Sequence, residues 1–86
     1  MTSYFLFDSN KTLAFNGSQP QCIALGTQLA RQGICEVVKI ARARPGERDA
    51  TIIAEITVEG LKATQSSRHV SSKKLLALVR RFPLED

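Results

Sequence analysis

Two lysines, Lys73 and Lys74, follow Ser71 and Ser72 where a helical apolar pattern begins, and no acidic residue lies between Lys62 and Arg81. A helix start carries about half a positive charge, so lysines in its first turn are unfavourable by a few tenths of a kcal/mol each unless an anion offsets them. Free backbone N–H groups, the Ser71 and Ser72 hydroxyls and the two ammonium groups would together make a receptor of phosphate size. Arg68 and His69 lie close by in sequence. The chemistry this pattern offers is anion binding. The competing reading is a solvated basic face that aids solubility.

Other chemistries have less to stand on. His69 is the only histidine, with no aspartate nearby in sequence and no serine or cysteine elbow, and Ser67, Ser71 and Ser72 are explained by turn and capping roles. Cys22 and Cys35 make neither a disulfide framework nor a four-ligand zinc site, and both read as buried thiols. Asp8, Glu36, Glu47 and Asp49 fall in separate elements, which argues against a metal centre. The five glycines are scattered singly and form no phosphate loop. The reading is a non-enzymatic domain with no cofactor and no metal.

With 86 residues the chain makes a single small domain, 1–86, that buries about 60 to 65% of its unfolded surface. Its formal net charge is +4, which favours an acidic partner. The start MTSYFLFDSN lacks the basic and apolar regions of a signal peptide, and no run approaches a membrane span, so the expected location is cytoplasmic, with no membrane partner.

The elements that must position these residues can be read in order. Tyr4 to Phe7 and Thr12 to Phe15 flank Asp8-Ser9-Asn10-Lys11 and predict a hairpin that Asn16-Gly17 ends. Ser18 with Gln21 is a capping box, Pro20 suits a first turn, and Cys22, Leu25, Gly26, Leu29 and Ala30 keep helical spacing up to Gly33. Cys35 to Arg44 and Thr51 to Glu59 predict two strands joined by a polar loop, Pro45 to Ala50. In the second, Ile52, Ala54, Ile56 and Val58 alternate onto one face. The pairing this suggests sets Ala43 against Ile52, Ala41 against Ala54 and Val37 against Val58. The opposite face then gathers Val38, Ile40 and Ile53 beside Arg42 and Arg44, a surface for the N-terminal hairpin or for a partner chain. Gly60 turns into a third strand near Leu61 to Ser66. Ser67 to Val70 is a connector, and a last helix carries Leu75, Leu78, Val79 and Phe82 up to Pro83.

From Pro20 onward this order resembles the double-stranded-RNA-binding domain. The correspondence is carried by Glu36-Val37-Val38, the loop opened by Pro45-Gly46, the strand Thr51 to Gly60 and Ser72-Lys73-Lys74. The resemblance implies that the lysines at the second helix start meet phosphates across the major groove, while the first helix and the loop touch minor grooves. That implicates Lys73, Lys74 and Gln21. This chain differs in having Leu75-Leu76-Ala77 where the family continues with alanines and a lysine, in lacking a loop histidine, and in adding the N-terminal hairpin.

The expected architecture is therefore α+β, β-β-α-β-β-β-α, an antiparallel sheet with two helices packed on one face. The expected function is contact with nucleic-acid phosphates through Arg68, Ser72, Lys73 and Lys74, aided by Arg42, Arg44 or Arg48. The alternative is a protein-interaction module, a homodimer or an accessory or inhibitory protein of a mobile element, that uses the Val38, Ile40 and Ile53 face.

Overall fold

Phe5-Leu6-Phe7 is an unbroken apolar run, and in the computed structural model, which describes residues 2–10, 13–64 and 68–81, both faces of this strand are covered. Leu6 belongs to one buried cluster with Cys22, Leu25 and Leu29, whereas Phe5 and Phe7 belong to another with Leu75. The domain is α+β with an antiparallel sheet and two helices, but the helices lie on opposite faces, not on one. A strand buried on both sides reads as a continuous apolar run, which is what residues 5–7 present.

The elements are β1 (Ser3–Asp8), β2 (Ala14–Gly17), α1 (Gln19–Arg31), β3 (Val38–Ala43), β4 (Asp49–Thr57), β5 (Gly60–Ala63), β6 (His69–Ser71) and α2 (Ser72–Arg81). The sheet order is β2-β1-β3-β4-β5, and β6 pairs with β4 further along the edge that β5 occupies. The expected third strand is present as β5, from Gly60 to Ala63, and the stretch read as a connector supplies part of a further strand, β6. Residues 65–67 lie outside the described residues, as do Lys11 and Thr12 of the first hairpin, Phe82 of the α2 stripe and Pro83. Asn16-Gly17 sits inside β2, where Asn16 donates its side-chain amide to the Tyr4 carbonyl at 3.0 Å.

The pairing of β3 with β4 also differs from expectation. Val38 faces Ile56 and Ile40 faces Ala54, but Ala41 faces Ile52, because Ile53 is an extra residue on β4. A bulge of this kind reverses which face the following residues use. Ala54 and Ile56 therefore pack under α1 while Ala50 and Ile52 pack under α2, although all four are even-numbered. One alternating sequence serves two cores. Val58, expected in the same buried row, lies beyond the end of β4 and is 75% exposed.

Helix α1 follows its local code closely. Ser18 Oγ accepts from Gln21 N–H at 3.3 Å, and Gln21 Oε1 accepts from Ser18 N–H at 3.0 Å. At the other end Gly33 takes φ 73°, and Ile34 N–H donates to the Leu29 carbonyl at 3.1 Å, a Schellman closure that needs a residue tolerant of positive φ. The buried positions are Cys22, Leu25, Gly26, Leu29 and Ala30. Gly26 lets the helix approach the sheet, since a Cβ there would meet Ile56 Cδ1 at 2.7 Å and Leu6 Cδ1 at 3.0 Å.

Helix α2 is held through Leu75, which is fully buried among Phe5, Phe7, Ala14, Ala41, Ala50 and Ile52, with Val70, Leu78 and Val79 partly buried around it. No described helix is long and apolar enough to cross a membrane.

Candidate phosphate-contacting surface

Strand register brings several segments to one end of the sheet. Tyr4 pairs with Gly17, Ser3 with Ala43, Thr51 with Arg42 and Asp49 with Ser71. The end of β2, the β3–β4 loop and the end of β6 are therefore neighbours. Both helices start there, α1 from Ser18 and α2 from Ser72. The β3–β4 loop is tied to α2 directly, because Ser72 N–H donates to the Arg48 carbonyl at 3.2 Å.

Between that loop and α2 runs a groove of about 590 Å³ lined by Glu47, Arg48, Asp49, Ser72, Lys73 and Leu76. An adjoining hollow shares Glu47, Ser72 and Leu76 and adds Arg44 and Asn16. Arg44, Arg48, Lys73 and Lys74 are all exposed. Cations from segments far apart in sequence thus converge at this end, and the four of them outnumber Glu47 and Asp49. This convergence is tertiary, since nothing in the local pattern near Lys73 points to Arg44 or Arg48.

The expected site does not assemble as a whole. The Ser72 hydroxyl is buried and has no hydrogen-bond partner, so it faces the protein and not a ligand. Pairing of residues 69–71 with β4 sets the Ser72 backbone against Arg48, and that carbonyl satisfies one of the free N–H groups of the helix start. Arg68 lies away from the lysines, beside Lys39, Ser9 and His69 at a hollow floored by Phe7 and Ile52, and its carbonyl accepts from Ile52 N–H at 3.0 Å. Arg42 alternates with Ile40 and so belongs to the α1 side of the sheet, opposite α2. There its strand neighbour Thr51 holds Oγ1 at 3.3 Å from His69 Nδ1. Gln21 is engaged in capping α1 on the far face, so the common helix surface that the family resemblance implies does not form.

Nor is the Val38, Ile40 and Ile53 face a free docking surface. Val38 and Ile40 are fully buried beneath α1, and Ile53 is packed against the same cluster. The cover is α1 and not the N-terminal hairpin, because β1 and β2 extend the sheet alongside β3 instead of lying over it. Leu76, at 43% exposure in the groove, is the apolar residue that the sequence reading missed there. It is the residue of the helical pattern next to the buried Leu75, and only the docking angle of α2 decides which of the two is covered.

Among the described residues no group of three His, Cys, Asp or Glu side chains is placed to hold a metal ion. Asp8, the one buried acid among the described residues, accepts from Leu13 N–H at 3.2 Å and steadies the first hairpin. Both cysteines are buried free thiols. Burial pushes the Cys22 thiol up to about 11, with a hydrogen bond at Gly17 opposing it, and burial with the nearby Asp8 charge raises Cys35.

A pH dependence follows from Cys22. Its proton is lost near pH 9 in the unfolded chain and near 11 in the folded one, so between these values the folded state holds the extra proton and stability falls as pH rises. The slope should approach about 1.4 kcal/mol per pH unit. Urea denaturation at stepped pH should show that slope in the parent and its flattening in Cys22→Ala.

No protein-family model matches the chain, and no curated protein or solved structure matches it.

Proposed function

We propose that this domain is a non-enzymatic module that contacts the phosphate backbone of nucleic acid through the end of the sheet where α2 begins. The observation that carries this reading is the meeting of Arg44 and Arg48 from the β3–β4 loop with Lys73 from α2 around adjoining hollows, the exposed Lys74 following Lys73 in the same helix turn. Lysines in the first turn are unfavourable beside the helix dipole, and an anion bound there would offset them. Glu47 and Asp49 weaken the field, which sets the expected affinity in the non-specific range, with Kd of roughly 10⁻⁴ to 10⁻⁶ M at physiological salt.

The test is fluorescence anisotropy with labelled duplex RNA, duplex DNA and single strand at about 50 and 200 mM salt, the range over which phosphate contacts weaken markedly. Changing Arg48, Lys73 and Lys74 together to alanine should weaken binding at least tenfold and flatten the log K against log salt slope by about 2 to 3, at 0.9 per lost contact. An unchanged affinity and slope would sink the proposal.

A further inference from the structure

The two helices are held to the sheet very differently. Helix α1 buries Cys22, Leu25, Gly26, Leu29 and Ala30, whereas α2 fully buries Leu75 alone, with Leu78 and Val79 partly covered. The strand that delivers α2 is only three residues long, and each of the three keeps some exposure. It runs into the helix without a loop, and the Ser72 N–H to Arg48 carbonyl bond continues the β4–β6 ladder into the first turn. Strand β6 and α2 are therefore one mechanical piece. The core beneath α1 contains no residue of that piece, because the sheet separates the two buried clusters.

The start of α2 also carries a cost. The Ser72 hydroxyl oxygen is buried without a hydrogen-bond partner. A hydroxyl that gives up water and gains nothing in return is destabilising where it stands. Its neighbours across the two adjoining hollows are Phe5 of β1, Ala43 of β3 and Glu47 and Arg48 of the β3–β4 loop, so lifting the helix returns it to water. The cost is borne only while α2 lies on the sheet.

We propose that β6 and α2 form a strap that lifts from the sheet as one unit while the rest of the domain stays folded, and that the Ser72 hydroxyl sets how often it lifts. Local opening of a contiguous unit needs few buried contacts and an intact remainder, and both are present. Closing the strap is also what assembles the cations. Arg44 and Arg48 stay with the loop, whereas Lys73 and Lys74 travel with α2. An anion that bridges the two sets binds the closed form and stabilises it by mass action. That coupling rests on the nucleic-acid reading; the lifting itself does not.

The test is amide hydrogen exchange of the whole chain, followed residue by residue by NMR at several low urea concentrations, first without ligand. Amides of β6 and α2 should exchange faster than those of α1 and with a smaller dependence on urea, the mark of an opening that exposes less surface than global unfolding. Ser72→Ala should slow exchange in β6 and α2 roughly five- to a hundredfold. Ala77→Ser, the reverse replacement at an exposed site of the same helix, isolates helix propensity and should speed exchange only about twofold. Amides of β6 and α2 that share the exchange rate and urea dependence of α1 overturn the strap. A Ser72→Ala effect no larger than that of the Ala77 control overturns the role of the hydroxyl. Duplex DNA is then added, with its binding followed by anisotropy, and should slow exchange in β6 and α2 further. Duplex that binds without slowing it overturns the coupling, whereas a duplex that does not bind counts against the nucleic-acid reading, and the ligand-free exchange alone decides the strap.

Discussion

Leu75→Ala should destabilise the domain by about 3 kcal/mol, within the 2 to 5 kcal/mol typical of a fully buried leucine, because this is the one fully buried side chain of α2. Its neighbours Phe5, Phe7, Ala41 and Ile52 belong to rigid strands and have little freedom to close the space left behind. A single domain of this size has a stability of roughly 5 to 10 kcal/mol, so the loss is a large share of the total. Chemical denaturation should show a lower midpoint, and hydrogen exchange should show α2 opening before α1. Leu76→Ala is the control, because Leu76 is 43% exposed and its loss should cost less than about 1 kcal/mol. Equal losses at the two positions would mean that α2 docks at another angle. Since Lys73 and Lys74 ride on this helix, Leu75→Ala should also weaken the proposed phosphate contact without touching a charge.

Gly26→Val should cost about 3 kcal/mol for a different reason, the insertion of volume where none is free. Ile56 is fully buried, so although its Cδ1 ends a side chain, the 2.7 Å approach cannot be relieved by turning it toward solvent. Leu6 Cδ1 at 3.0 Å, also on a fully buried side chain, closes the other exit. Gly26→Ala separates two opposing terms. Alanine improves helix propensity by roughly 1 kcal/mol, while the same Cβ contact works against it. Thermal or urea unfolding of both variants should rank parent above Gly26→Val, with Gly26→Ala between them. A stabilised Gly26→Val would mean that α1 stands further from the sheet.

Most of α1 was legible because its signals are local. The Ser18–Gln21 box, the apolar spacing from Cys22 to Ala30 and the Gly33 terminus each act within a turn or two of chain. The hairpin of β4 and β5 was equally accessible, since Gly60, with φ 124°, marks its turn. Helix α2 was placed correctly in sequence but not in space. Its buried stripe says that it packs, and nothing in that stripe says against which face. Strand β6 escaped notice because three polar-flanked residues carry little strand signal and form their ladder only where Asp49 to Thr51 present a free edge.

The candidate site divides along the same line. Lys73 and Lys74 were identifiable from the conflict between their charge and the helix dipole, a local effect. Arg44 and Arg48 reached them through the register of β3 with β4 and the Ser72 to Arg48 hydrogen bond, while Arg68 and Arg42 were carried away from them by the same register. The Ser72 hydroxyl, assigned to a ligand by sequence position, was turned inward by the strand that precedes it.

By itself, then, the sequence determined an α+β chain, the first helix with both its ends, the main strands and the concentration of positive charge toward the C-terminal segment. These rest on turn chemistry, capping and periodicity, which act over a few residues. The tertiary structure alone decided that the helices lie on opposite faces, that Ile53 divides an evenly alternating strand between two cores, and that β5 and β6 share one edge of β4. Those outcomes depend on strand register and on which apolar surfaces meet, and pairwise burial between distant segments leaves no mark in any short stretch of sequence.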